Sequence, residues 1–315
     1  MSGRSAALAQ AAVPVREEPL AEVAYVYDGT TEGLLTAVFA AYANHEDPQD
    51  LVREGVLQPR LGQSTRHIET DPQLARRVLD GVRRDCGDRA ADAVLHASLS
   101  DDPQAGGIVY RFIRYAMPPG SGKGRRAGGK APGGGAQGGT QAIEPAAVAA
   151  ARPRAAQRRS RAIDEVTHPA VAPLLDLDRA VMNERHNMMQ FLRFEHLEGG
   201  LWFARCEPKA SVVPLLMGWF SGRFNTQPFI IHDERHGIAG VYEGHDWYLV
   251  RTDELQLPGR ADEEREMQEA WRAFYDAISI EARYNPELRR QLLPKRFWKN
   301  LTEMQESLPG RELQR

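Results

Sequence analysis

Cysteine is almost missing from this 315-residue sequence, which has only Cys86 and Cys206, far apart and neither in a Cys-x-x-Cys pair. That spacing excludes a zinc ribbon and a cysteine-held iron–sulfur cluster, so two reduced thiols and no cofactor are expected. Long apolar runs are missing as well. No stretch approaches the roughly 18 residues that span a bilayer, which excludes a membrane-spanning helix. The first twenty residues carry Arg4, Arg16, Glu17 and Glu18 without a continuous apolar core, so no secretory signal is read and the cytoplasm is the expected compartment. A serine nucleophile elbow and a nucleotide fingerprint are also absent. Gly120-Ser121-Gly122-Lys123-Gly124 resembles a phosphate loop only superficially. Met117 stands where its first glycine belongs, and Gly124 replaces the hydroxyl residue that would hold magnesium.

What is present is an ordinary globular composition, 42% hydrophobic and 26% charged, on a chain long enough for about two average domains. The charge is unevenly placed. The formal net is −3, yet Pro118 to Ile163 holds nine basic residues against Glu144 alone, a local +8 that leaves −11 elsewhere. That segment is rich in glycine, has no aromatic residue and cannot offset its own ordering entropy, so it reads as a flexible basic linker able to hold a polyanion by charge. The expected organisation is a disordered tail over 1–20, a mainly helical first half over 21–117, a disordered basic insert over 118–163, and an α+β second half over 164–315.

In the first half, Val23 to Tyr27 reads as a strand ending in the Asp28-Gly29 turn, with Thr30 or Thr31 capping a helix that carries Leu34, Leu35, Val38 and Phe39. Helical spacing returns at Leu74, Val78, Leu79 and Val82, then over Ala91 to Leu99 and Ile108 to Met117. In the second half, Pro173 to Met189 is a helix striped by Leu174, Leu177, Val181 and Met188. Met189 to Glu195 and Leu201 to Cys206 flank Glu198-Gly199-Gly200 as a hairpin, Ser211 to Phe224 is a buried helix, and strands follow at Phe229 to Asp233, Ile238 to Glu243 and Trp247 to Val250. Met267, Trp271, Phe274 and Ile278 mark a long helix, and Pro294 suits the first turn of another. The fold class is α+β: a small antiparallel sheet of short strands packed with helices.

The candidate chemistry is sparse. Glu184 falls on the apolar stripe between Val181 and Met188, where desolvation raises a carboxyl pKa unless a cation pairs with it. It is therefore either a general acid or base, or the buried partner of an arginine such as Arg193 or Arg223, the ion pair being the favoured reading. His186 lies about 200° further round the helix, so it does not face Glu184, and it reads as a hydrogen-bonded, packed histidine. His232 and His236 have four-residue spacing that would suit a metal on a helix, but they fall on a hairpin turn, and no metal is expected. From Arg283 to Lys299 six cations meet one acid, interleaved with Tyr284, Phe297 and Trp298, which is a pattern suited to neutralising phosphates and stacking on bases. Arg193, Arg223, Arg283, Lys295, Arg296, Trp298 and Lys299 form the candidate DNA-binding set, and Glu184 and His186 the candidate acid and base.

The chain also carries an ordered series of short motifs. They are Tyr27-Asp28-Gly29; Glu184-x-His186-x-Met188-x-x-Phe191-x-Arg193-Phe194; Glu207-Pro208; Val213-Pro214-Leu215-Leu216 leading to Phe220-x-x-Arg223-Phe224; Gln227-Pro228 with His232-Asp233; Arg283-x-Asn285-Pro286; and Pro294-x-Arg296-Phe297-Trp298-Lys299. In this series the chain resembles a bacterial family described as probable DNA metabolism or DNA repair proteins. Its members are encoded beside a radical-SAM iron–sulfur protein, and some are fused to a uracil-DNA glycosylase-like domain. The resemblance implies a DNA-repair-associated accessory protein that binds nucleic acid and positions a partner repair or modification enzyme. The alternative is an enzyme acting directly on damaged DNA or a modified base. No glycosylase-like domain is read in these residues, so such a partner is expected as a separate polypeptide.

Overall fold

The computed structural model describes residues 22–119, 161–252 and 254–305. The fold is α+β with two sheets, and no helix among the described residues is long and apolar enough to cross a membrane. The first sheet is built on β1 (Val23–Tyr27), four of whose five residues are buried. It lies between β2 (Asp50–Arg53) and β3 (Ser64–His67) and is parallel to both. Gly29, at φ 83°, makes the turn that ends β1, and the Thr30 hydroxyl caps α1 (Thr31–Ala43) by accepting from the Gly33 amide at 2.7 Å. The helices α2 (Pro72–Cys86), α3 (Asp88–Ser98) and α4 (Ala105–Ala116) pack round this sheet in one core. The first half is thus more than helical. β2 and β3 were not legible in the sequence, because four-residue strands with one buried residue between them leave no alternation to read.

The insert read as 118–163 lies mostly outside the described residues, but its last part does not. Ala162 and Ile163 form a 3-10 turn buried in the first core, so the apolar end of that segment is core and not linker. Next comes α5 (Ala172–Phe191), whose 20 residues span about 30 Å. Its Leu174 and Leu177 belong to the first core, and its Val181 and Met188 to the second.

The second sheet runs β4 (Glu195–Leu197), β5 (Leu201–Cys206), β6 (Phe229–Asp233), β7 (Ile238–Tyr242) and β8 (Trp247–Arg251), in that spatial order. The expected hairpin over Glu198 to Gly200 is present, with β4 shorter than anticipated because Met189 to Phe191 stay in α5. The sheet is mixed, and not purely antiparallel: β5 and β6 are parallel, because α6 (Val213–Phe224) forms the crossover between them. α6 then lies on β7, where Gly240 admits Met217 so closely that a Cβ would fall 2.3 Å from its sulfur.

After the sheet come α7 (Asp262–Ile278), α8 (Pro286–Leu292), a 3-10 segment over Lys295–Asn300, and α9 (Thr302–Gln305). Pro286 rather than Pro294 opens a regular helix, with the Asn285 side chain accepting from the Leu288 amide at 3.0 Å. Pro294 precedes the 3-10 segment, which inserts Phe297 into the second core.

Candidate nucleic-acid interface

Glu184 is buried on α5, where its Oε1 accepts from the Lys209 amide at 2.9 Å and from Arg296 Nη1 at 2.6 Å. Arg296 Nη2 donates to Oε2, so the guanidinium closes a two-point fork on the carboxylate. The arginine also lies over the Phe297 ring, 4.1 Å from its centroid. Glu184 therefore has a structural partner, but it is Arg296, from the C-terminal segment, and neither Arg193 nor Arg223. His186 is exposed, with Nε2 at 2.9 Å from the Gln190 side chain, and it is not brought near Glu184.

The other members of the DNA-binding set separate into two groups. Arg193 donates to Glu303 at 2.8 Å, and Trp271 Nε1 donates to the same carboxylate at 3.0 Å. Burial opposes ionisation of Glu303, but these hydrogen bonds, Arg193 foremost, hold its pKa below the usual carboxyl value. Lys299 pairs with Glu207 and holds that carboxyl low in the same way. Arg193, Arg296 and Lys299 are thus engaged with acids. Arg223 is exposed over the Trp219 ring, and Arg283 and Lys295 are exposed with no carboxylate within salt-bridge distance among the described residues.

Trp298 is the centre of the second group. Its Nε1 donates to the Leu293 carbonyl at 3.0 Å, which fixes the ring's edge, while Arg289 lies 5.2 Å and Lys295 5.8 Å from its centroid. Arg289 also lies 5.7 Å from the Tyr284 ring, so Tyr284, Arg289, Trp298 and Lys295 form one cation–π array across α8 and the 3-10 segment, in which Tyr284 and Lys295 are exposed while Arg289 is half-buried and Trp298 packs half-buried against the second core. Arg290 is exposed beside it. In the sequence Arg289 is one charge in a run; its place between two rings depends on the turn that brings Trp298 back toward Tyr284.

A cleft of about 650 Å³ lies elsewhere, between the two halves, at the C-terminal ends of β1 and β2 and beside β8. Asp28, Thr30, Arg53, Asp101, His236 and Arg251 contribute its polar lining, and Pro214, Leu215, Ile238 and Leu249 part of an apolar wall. Asp28 accepts from the Thr30 amide at 2.9 Å and hydroxyl at 2.6 Å, and from Thr70 at 2.9 Å. Burial opposes them, yet these bonds keep its pKa below the usual value. Gly33 makes the arrangement possible, since a Cβ there would sit 2.1 Å from the carboxylate oxygen.

His236 spans the halves. Its Nδ1 lies 2.6 Å from Asp233, its Nε2 lies 2.8 Å from Asp101, and Arg235 pairs with the same Asp101 at 2.7 Å. Burial lowers the imidazole pKa, but the two carboxylates more than offset it and raise it to about 9. His236 is therefore an imidazolium at neutral pH. His232, four residues earlier on β6, is turned instead toward the Thr252 carbonyl at 3.3 Å, because successive strand and turn positions do not share the face that a helix would give them. Asp101, the decisive partner of His236, is 135 residues away in sequence, so no local motif marks the cluster.

A family model described as a domain of unknown function, DUF4130, matches residues 146–303. That span holds α5, the whole second sheet, the Glu184–Arg296 fork and the aromatic–cation array. No curated protein matches the chain.

Proposed function

The chain belongs to the DUF4130 family, and we propose that it is a DNA-repair-associated accessory protein that binds nucleic acid through α8 and the 3-10 segment and positions a partner enzyme. One observation carries the binding reading: the array of Tyr284, Arg289, Trp298 and Lys295, whose cations meet no carboxylate among the described residues. Rings on a basic surface offer bases a stacking platform while the neighbouring cations neutralise phosphates, a combination suited to single strands. The repair setting is supported by the ordered motifs set out above. They also supply the partners proposed here, a radical-SAM iron–sulfur protein or a uracil-DNA glycosylase-like protein. The phosphate contacts are assigned to Arg289, Arg290 and Lys295. Arg296 and Lys299 act instead by fixing the segment to α5 and to Glu207.

The experiment is fluorescence anisotropy of the full chain with single-stranded and duplex oligonucleotides over a range of salt concentrations. Replacing Arg289, Arg290 and Lys295 together by Gln should lower affinity for every sequence and flatten the log–log salt slope by about 0.7 per lost contact on single strands. Tyr284→Leu should weaken single-strand binding by roughly 1–3 kcal/mol with little change in melting temperature. Unchanged affinity and slope in the triple variant would remove this surface from the reading. The enzyme alternative is favoured by the cleft, whose lining includes the titratable groups Asp28, Glu32, Asp101 and His236 but not the closed Glu184. Product analysis on lesion-bearing oligonucleotides in the same samples distinguishes the two.

A further inference from the structure

The cleft between the two halves has the make-up of a small-molecule site. It lies beyond the C-terminal ends of the parallel strands β1 and β2, where open parallel sheets hold their ligands, and its volume of about 650 Å³ is that of such sites. Part of its wall is aliphatic, with Leu95, Leu99, Pro214, Leu215, Ile238 and Leu249 drawn from both halves. The rest is charged, and two of its cations are incompletely matched. Asp101 is paired with Arg235 at 2.7 Å and with His236 at 2.8 Å, while Arg53 stands 3.7 Å from it and has its Nε buried without an acceptor among the described residues. Arg251, at the end of β8, is exposed and has no carboxylate within salt-bridge distance among the described residues. Thr31 and Glu32, the first residues of α1, also line the cleft, and their backbone N–H groups meet no acceptor among the described residues.

We propose that this cleft binds a nucleoside monophosphate, free or as the terminal residue of a strand, with the phosphate among Arg53, Arg251 and the start of α1 and the base against the aliphatic wall. The choice of a nucleotide rests on the nucleic-acid reading, but the site shares no residue with α8 or the 3-10 segment. Each part of the lining selects a part of the ligand. The two cations and the free N–H groups call for an anion rich in acceptors, which a phosphate is. The acids select the body. Asp28 has three of its roughly four acceptor positions filled by Thr30 and Thr70, and like Glu32 it only accepts, so the ligand must bring donors, as the hydroxyl and amino groups of a nucleoside do. The aliphatic wall then covers the flat face of a base. Inorganic phosphate would leave that wall unused, and a simple aliphatic acid would bring no donor to Asp28 and Glu32.

The test is isothermal titration calorimetry of the full chain with dAMP, dCMP, dGMP and dTMP, and with inorganic phosphate and hexanoate for comparison. At least one nucleotide should bind saturably, one per chain, and about tenfold or more tighter than either comparison anion. Arg251→Gln removes a charge-assisted contact and should weaken that nucleotide about tenfold, with an unchanged melting profile because Arg251 is exposed. Leu249→Asp, also at an exposed position, should weaken the nucleotide more than it weakens phosphate. The triple replacement of Arg289, Arg290 and Lys295 by Gln should leave mononucleotide affinity as in wild type, which separates this site from the α8 surface. The natural source is read by competition: displacement of the mononucleotide by a 5′-phosphorylated oligonucleotide and not by its unphosphorylated form assigns the cleft to a strand end, and displacement by neither assigns it to the free nucleotide. Absence of saturable binding by all four nucleotides up to millimolar concentration, or equal affinity in Arg251→Gln, overturns the proposal and leaves the α8 reading standing. Loss of mononucleotide binding in the triple variant overturns it too, since the phosphate then sits at α8. Phosphate or hexanoate binding as tightly as the nucleotide overturns the choice of ligand.

Discussion

Glu184 shows how far a single residue can be read in advance. Its place on an apolar stripe announces a buried carboxylate that needs a cation, and the structure supplies one, but from 112 residues further along the chain. Helical periodicity fixes which way a side chain points, whereas the identity of its partner depends on tertiary closure, and Arg193 and Arg223 were merely nearer in sequence. Glu184→Gln should destabilise the fold by roughly 3–5 kcal/mol, since it leaves the Arg296 guanidinium without its charge partner in a largely buried site. Urea unfolding measures this, and a variant of unchanged midpoint would show that the fork is not structural. His236 offers a second test, in pH. Its folded pKa of about 9 stands above the ordinary imidazole value of 6.5, so protonation favours the folded state. The stabilisation is complete below about pH 6.5 and is lost as the pH rises through 9, on the order of 3 kcal/mol in all. Asp101, Asp233, Arg235 and Arg53 surround the ring, and of these Asp101 titrates well below that window. The melting temperature of wild type should therefore fall from pH 6.5 to 9.5 by more than that of His236→Asn, and parallel curves would refute the imidazolium.

At the scale of elements, helices and the longer strands were legible and the short strands were not. β1, β6, β7 and β8 announce themselves by apolar alternation or continuous apolar runs between turn glycines, and α1 by its Thr30 cap. β2 and β3 are held by β1 rather than by their own residues, since β1 donates and accepts on both edges, so the parallel sheet and the cleft at its end remained invisible. α7 reveals a different limit. Its stripe correctly marks a helix, but periodicity specifies only that one face is apolar, and not that this face turns inward. Ala162 and Ile163 make the complementary point: a composition boundary drawn from glycine and arginine content ran past the first residues that the core takes up.

For the whole molecule, the question is whether two cores behave as one. They share α5, whose first turns lie in one core and last turns in the other, and they meet again through the Ser100–Ala210 bridge, the Ser211 amide on the Leu99 carbonyl, and the ion cluster of Asp101 with Arg235 and His236. The helix is the more important link, because a continuous hydrogen-bonded rod transmits the loss of one core to the other, whereas the ion cluster is partly open to water and weakens as His236 deprotonates. Arg179 sits at the junction, exposed on α5 between Leu177 and Val181, so a substitution there alters the rod without removing a core contact. Arg179→Pro deletes an intrahelical hydrogen bond and costs roughly 3 kcal/mol or more. Wild type should unfold in one calorimetric transition, with calorimetric and van't Hoff enthalpies equal. The proline variant should separate into two transitions, whose separation widens on raising the pH through 9 as the remaining ionic link fails. Arg179→Ala, which keeps the helix, should retain a single transition. If the proline variant still melts in one step at a lower temperature, the contacts across the cleft and not α5 hold the halves together, and the cleft itself is then the more rigid part of the molecule.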